Sequence, residues 1–270
     1  MGGRPPAPYD RRMSGVGELL REWRGNRRLS QLELSAQAGV SARHLSFVET
    51  GRARPTREMI LRLAEQLDVP LRARNALLLA GGFAPAYSQR DLDAPHLATV
   101  LAALRAVLAG HEPYPAVLVD RHWTLVDANA AATVLTDGAA PALLEPPVNV
   151  LRLSLHPDGL APRITNLAEW RAHLLHRLDR QAQASADPVL GALLDELRGY
   201  PGGSADPGGR AATDLAGPVV PMRYRRGDRE LAFLSVTSVL GTPLDVTLAE
   251  LAIETFLPAD PATAAALRAS

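Results

Sequence analysis

The stretch 41–54, SARHLSFVETGRAR, concentrates groups that hydrogen-bond to flat, anionic partners. Arg43 offers a fork of donors that suits a guanine edge, and Phe47 offers a ring that suits a thymine methyl. Ala42, His44 and Ser46 on the same run are short or hydrogen-bonding. Gln31 and Ser41 stand where helices should begin, and backbone N–H groups and polar side chains at a helix start hold phosphates. Arg52 and Arg54 extend the cationic surface. These nine residues form a candidate interface to double-stranded DNA. On a plain helical hairpin the same side chains would only be a solvated charged face.

The elements that must position them are legible on either side. Val16, Leu19, Leu20 and Trp23 recur at helical spacing. Ser30 with Glu33 three residues later reads as a capping box for a helix ending near Ala38. Gly39 tolerates the left-handed backbone that a tight elbow needs. Ser41 caps a helix over 42–49, and Leu34, Ala38, Val40, Leu45 and Val48 are the small and apolar anchors of the elbow. Thr56 caps a fourth helix over 57–67, and 71–80 reads as a fifth, ended by Gly81 and Gly82. Two short helices joined by such an elbow make a helix-turn-helix, whose second helix buries one face and offers the other to the major groove. Capping, elbow spacing, anchors and basic excess agree on that reading.

The remaining chain has a different texture. Residues 83–95 (FAPAYSQRDLDAP) read as a linker, and a helix follows to about 109. Residues 116–119 and 123–127 read as strand, turn and strand. Residues 129–135, 169–183 and 188–198 are helical in pattern, with Asn129 as a strand-to-helix cap. Residues 199–217 read as a mobile loop. Residues 218–226, 230–240 and 244–257 read as closing strands, with a hairpin turn at Arg226, Gly227 and Asp228. The fold class expected is multidomain: an all-α five-helix bundle, then an α+β domain with an antiparallel sheet. The boundaries expected are a disordered tail over 1–13, a DNA-binding domain over 14–82, a linker over 83–95 and a second domain over 96–270.

Composition narrows the classes. The 270 residues suffice for about two domains. The net charge is zero, yet residues 1–90 hold 15 Arg against 8 acidic residues, and the rest holds 14 against 21. A basic front suits a polyanion and an acidic back suits a different partner. All 29 basic residues are Arg. The lack of cysteine removes disulfides and thiolate metal sites. There is no apolar run of the ~18 residues a membrane span needs. The N-terminus, MGGRPPAPYDRRM, has no signal-peptide core, so a cytoplasmic location is expected. There is no P-loop, no G-x-G-x-x-G after a strand, no G-x-S-x-G elbow and no H-E-x-x-H, so no enzyme is expected. His173, His176 and Asp179 are spaced along one helix flank and could hold zinc. The plainer reading is a polar flank beside the Trp170, Leu174 and Leu178 stripe, and no cofactor or metal is expected.

Residues 15–80, including LSQLELSAQAGVSARHLSFVETGRARPTREMILRLAEQL, resemble the helix-turn-helix domain of the XRE (lambda-repressor-like) family. Ser35 stands where that family usually has Ala. A hydroxyl bonded back to the preceding turn would fit there. HEPYPAVLVDRHWTLVDANAAA and PPVNVLRLSLHPDGLAPRITNLAEWRAHLLHRL resemble MmyB-like transcription regulators, in which a PAS-like ligand-binding domain follows the helix-turn-helix. The resemblance implies a DNA-binding regulator with a fatty-acid-like ligand in an apolar pocket. Such a ligand needs one polar anchor, and Asn149, Arg152, His156, Arg163 and Asn166 are candidates, an Arg best because its fork matches a carboxylate. Each is also the kind of residue that serves as a surface or satisfied structural group, and 156–159 reads as a turn. A homodimer on an approximately palindromic operator is expected. A second reading keeps the DNA-binding role and makes the C-terminal domain only a dimerisation and protein-contact module. A third, an enzyme fused to the DNA-binding domain, finds no compact constellation of polar residues to support it.

Overall fold

The computed structural model describes residues 15–202 and 219–269. The expected tail over 1–13 and most of the expected loop over 199–217 lie outside the described residues. The chain divides into two compact units: one runs through Gln89 and includes Leu244–Val246, and the other holds the rest.

The first unit is five helices: α1 Val16–Asn26, α2 Gln31–Ala38, α3 Ala42–Glu49, α4 Arg57–Gln66 and α5 Leu71–Ala80. The local signals explain the boundaries. Ser30 and Glu33 close a reciprocal capping box, and the Ser41 and Thr56 hydroxyls accept from the third residue of their helices. Gly39 ends α2 in the left-handed region at φ +62°. Leu20, Leu34, Leu45, Ile60, Leu63 and Leu78 are fully buried between the helices. Arg27 closes α4 by donating to the Leu67 and Asp68 carbonyls at 2.8 and 3.0 Å. Residues 86 and 87, inside the segment read as a linker, are tied to α5. Buried Asn75 accepts from both their N–H groups and donates to the Tyr87 carbonyl.

The second unit is a five-stranded antiparallel sheet in the order β2-β1-β5-β4-β3, with helices on both faces. Its strands are β1 Ala116–Val119, β2 Leu125–Ala128, β3 Met222–Arg226, β4 Arg229–Val239 and β5 Ala252–Pro258. Its helices are α6 Ala98–Ala109, α7 Pro141–Leu144, α8 Val150–Leu155, α9 Leu167–Ser185, α10 Pro188–Arg198 and α12 Pro261–Arg268. A short turn, α11 Val246–Ala249, precedes β5. Strand alternation divides the sheet. Val117, Val119, Phe233, Ala252 and Phe256 join the main core with α8, α9 and α10. Ala116, Leu118 and Ile253 face the other way, against Leu104 and Leu108 of α6.

Two expectations are corrected. The strand expected from Trp123 begins at Leu125, because Asp120 Oδ1 accepts from the His122 and Thr124 N–H groups and folds 120–124 into a turn. The segment 244–257 is not one strand: α11 interrupts it. The short helix expected over 129–135 is present as a 3-10 helix, Ala130–Leu135, capped by Asn129. Helices α7, α8 and α12 went unread.

Two glycines divide the first unit's backbone demands. A Cβ on Gly17 would lie 2.1 Å from the Val48 carbonyl, where α1 crosses α3. A Cβ on Gly39 would meet open space, and only its left-handed φ opposes substitution. Gly17→Ala is therefore expected to destabilise by about 2–3 kcal/mol, since backbone must move. Gly39→Ala is expected to cost only about 1 kcal/mol. Urea unfolding of the two variants checks the order.

Candidate functional site

Helix α3 presents two faces. Leu45, Val48 and Glu49 point inward, Arg43 and His44 are exposed, and Ala42, Ser46 and Phe47 are half-buried. The Ser41 hydroxyl accepts from the His44 N–H at 3.1 Å. The Arg43 guanidinium lies over the Phe47 ring at 5.4 Å, one helical turn away. That cation–π contact braces the guanidinium and reduces the freedom it would lose on binding. The Phe47 carbonyl accepts from the Arg52 and Ala53 N–H groups, which turns the chain so that exposed Arg52 and Arg54 follow directly after α3. Ser35 is buried, and its hydroxyl donates back to the Leu32 carbonyl at 2.8 Å.

Gln31 has an additional role. Its amide donates to Glu49 at 2.7 Å, and Arg24 of α1 grips the same carboxylate through Nε and Nη2 at 2.7 and 2.8 Å. Glu49 thus ties α1, α2 and α3 together from inside. It was missed in the sequence, although its spacing from Leu45 and Val48 places it on the buried face. Burial by itself pushes the Glu49 carboxyl up, but the hydrogen bonds from Arg24 and Gln31 and the Arg24 charge outweigh it and hold it below its ordinary value.

The candidate ligand anchors are each held by other parts of the second unit. Asn149 caps α8 and donates to the His122 carbonyl. Asn166 accepts from the Arg223 N–H and donates to the Pro221 carbonyl, fastening β3. Arg152 is gripped by Glu196 at 2.7 and 2.8 Å, and Tyr200 donates to the same carboxylate. Burial and the Glu196 bond push the Tyr200 phenol up to about 12. His156 accepts from the Asp158 N–H and meets the Tyr200 ring edge-on. Arg163 lies against Gly138 and donates to the Tyr224 hydroxyl at 3.2 Å. His156, Arg152 and Tyr200 gather around Glu196; Asn149, Asn166 and Arg163 do not join them. His173 stacks on Trp170, and Asp179 is engaged by Gln183 and Arg198. Among the described residues no cluster of His, Asp and Glu is placed to hold a metal.

A second cluster was missed altogether. Glu254 of the central strand β5 is buried on the inner face of the sheet. Arg177 of α9 donates to both its oxygens at 2.8 Å, Thr237 donates at 3.0 Å, and Ser235 donates as well. Arg177 also lies over the Trp123 ring at 4.6 Å. Trp123 has a φ of +66°, a region a bulky side chain seldom adopts. Its indole N–H donates to Gln181 of the same helix at 2.8 Å.

The family model described as MmyB-like transcription regulator ligand binding domain matches residues 100–269, more than half of the chain. The chain belongs to the MmyB-like transcription regulators. A second family model, described as helix-turn-helix, matches residues 20–73 of this MmyB-like chain. The protein is therefore a DNA-binding transcription regulator with a ligand-binding domain, and α3 sits inside the matched helix-turn-helix. No curated protein matches it. A solved structure described as an RNA-binding light-oxygen-voltage receptor is 14% identical, over 94% of this chain and 61% of that one, with a TM-score of 0.27. The regulator thus spans about three fifths of that receptor's length, and so low a score carries no argument. Among the described residues no helix is long and apolar enough to cross a membrane.

Glu49 supplies a test of the first unit. Removing one partner of a buried pair strands the other, so Glu49→Ala is expected to cost roughly 3 kcal/mol. The depressed folded value means that the ionised Glu49 stabilises at pH above its unfolded value of 4.5 and that this contribution fades as the pH falls through the lower folded value. Between neutral pH and pH ~3 the wild type should lose more stability than Glu49→Gln, measured by urea unfolding across that range.

Proposed function

We propose that this regulator binds an approximately palindromic operator as a homodimer and responds to a small apolar ligand with a fatty-acid-like chain. The observation that carries the DNA half is Arg43, exposed at the first turn of α3 and braced on Phe47. Ser41, Ala42, His44 and Ser46 flank it, and Gln31, Arg52 and Arg54 lie at the ends of the helices where phosphates are met. Half-sites about one helical turn apart bring two such helices into successive major grooves. The ligand acts by favouring one arrangement of the two DNA-reading heads over another, which requires different affinities for the two arrangements. The setting is cytoplasmic and the regulator itself catalyses nothing.

Two experiments test this. Duplexes selected from a random pool identify the preferred sequence, and the wild type and Arg43→Ala are then titrated at one fixed salt concentration. Arg43→Ala should lose roughly 1–3 kcal/mol on the selected duplex and little on a scrambled one. Equal loss on both would remove the base-reading role. Organic extracts of the purified protein, compared by mass spectrometry with extracts of an unrelated protein from the same cells, should be enriched in a stoichiometric acyl compound. A dimer without such enrichment would favour a C-terminal domain that only dimerises.

A further inference from the structure

A sheet carries a row of N–H and C=O groups along each edge, and an edge left open pairs with another strand. The two outer edges of this sheet are closed. Beyond β2, the Leu125 N–H donates to the Val148 carbonyl and Thr124 bridges Asn149. Beyond β3, Ile164 bridges Tyr224 and the Thr165 N–H donates to the Arg223 carbonyl. β3 also carries exposed Arg223, Arg225 and Arg226, and charges on an edge turn other strands away.

One stretch has neither device. β4 runs from Arg229 to Val239, but β3 pairs only with its first part, Arg229 to Phe233. From Leu234 to Val239 the strand pairs with β5 on one side, and among the described residues no strand lies on the other. The β3–β4 hairpin has a two-residue turn, so Arg226 and Arg229 exchange both their bonds. Every second residue of β4 from Arg229 onward therefore points its N–H and C=O to the β3 side. In the unpaired stretch these are Ser235, Thr237 and Val239. Val236 is 45% exposed and Val239 69% exposed. From Leu231 to Leu240 the sequence holds no charge and no proline. At the centre, Thr237 Oγ1 accepts from Arg177 at 2.5 Å and donates to Glu254 at 3.0 Å. A strand fixed in this way before pairing loses little freedom when it pairs.

A second copy of the chain fits this edge. An antiparallel edge is its own complement under a two-fold axis. With the axis at Thr237, Thr237 meets its own copy, Ser235 of one chain meets Val239 of the other, and Val236 meets Ser238. All three outward residues then exchange both their bonds, and each exposed valine covers a serine. The edge has no charge to steer an acidic or basic peptide. The preceding residues 203–218, GSADPGGRAATDLAGP, are rich in Gly, Pro and Asp, which ladders disfavour.

We propose that two copies of this regulator join edge to edge along Ser235–Val239 of β4, antiparallel, so that their two sheets become one. This rests on the homodimer reading given above and adds the interface. Two short strand edges make a small interface beside the ~1,200 Å² of stable ones, so the dimer free of DNA is weak, with a Kd in the micromolar range.

Sedimentation equilibrium of the full-length protein without DNA, over a series of concentrations, tests this. The wild type should dimerise. Val239→Pro removes an N–H that β5 does not use and should weaken the dimer about tenfold. Val236→Lys puts a charge on the edge at an exposed position and should weaken it by a similar factor. This second variant decides the matter if the first does not fold. Hydrogen exchange of the peptide 234–240 should slow as the wild-type concentration rises, and should not do so in Val236→Lys. A dimer that Val236→Lys leaves undisturbed, or exchange over 234–240 that ignores concentration, would overturn the edge and leave the homodimer reading intact. A wild type still monomeric at roughly 100 µM would also overturn the edge. If the selected duplex then took up a single copy, the homodimer reading would fall with it.

Discussion

A carboxylate taken out of water is tolerable only where a cation and enough hydrogen-bond donors meet it. Each unit of this regulator is organised around one such carboxylate. Glu49 is met by the Arg24 fork and the Gln31 amide, Glu254 by the Arg177 fork and two hydroxyls. In both cases the partners come from different elements, so the pairing fixes how those elements sit. Glu49 draws α1 and the start of α2 onto α3. Glu254 draws α9 onto the centre of the sheet. The cation is Arg each time, and its planar fork satisfies two carboxylate oxygens at once where an ammonium would act as a point charge.

The arrangement of the surrounding side chains follows from these two constraints. With Leu45, Val48 and Glu49 committed inward, the helical period leaves Arg43 and His44 facing out, where the stack on Phe47 holds the guanidinium over the helix surface. The Ser41 cap and the turn of Arg52 and Ala53 onto the Phe47 carbonyl define the ends of α3. In the second unit β5, late in the chain, inserts between β1 and β4. That places Glu254 at the middle of the inner face, with apolar neighbours along its strand. The turn at 120–124 throws Trp123 beneath α9, where its ring covers one face of Arg177 and its N–H secures Gln181.

Legibility differed between the units for a physical reason. In the first, the boundaries that frame the elbow and start α4 are set within a few residues: the capping box at Ser30 and Glu33, the caps at Ser41 and Thr56, the left-handed Gly39. In the second, strands of four or five residues and helices of four to six span too little chain to show a period, so α7 and α8 carried no readable pattern. The strand expected at Trp123 failed because one Asp120 oxygen outcompeted the ladder for two N–H groups. The polar residues of 149–166 stood out in the sequence as anchors, and the structure engages Asn149 and Asn166 in holding backbone.

The sequence by itself determined the two-part organisation, the helix-turn-helix with its outward residues and the family, because caps, elbow and motif are local and survive without coordinates. Only the tertiary structure decided which charges are buried. Arg24 and Glu49 are 25 residues apart, and Arg177 and Glu254 are 77 apart. No periodicity reaches across such distances, and the same Arg and Glu would read as solvent-facing in any local window. Their pairing depends on which faces meet when helices close on one another and when a late strand enters the middle of a sheet.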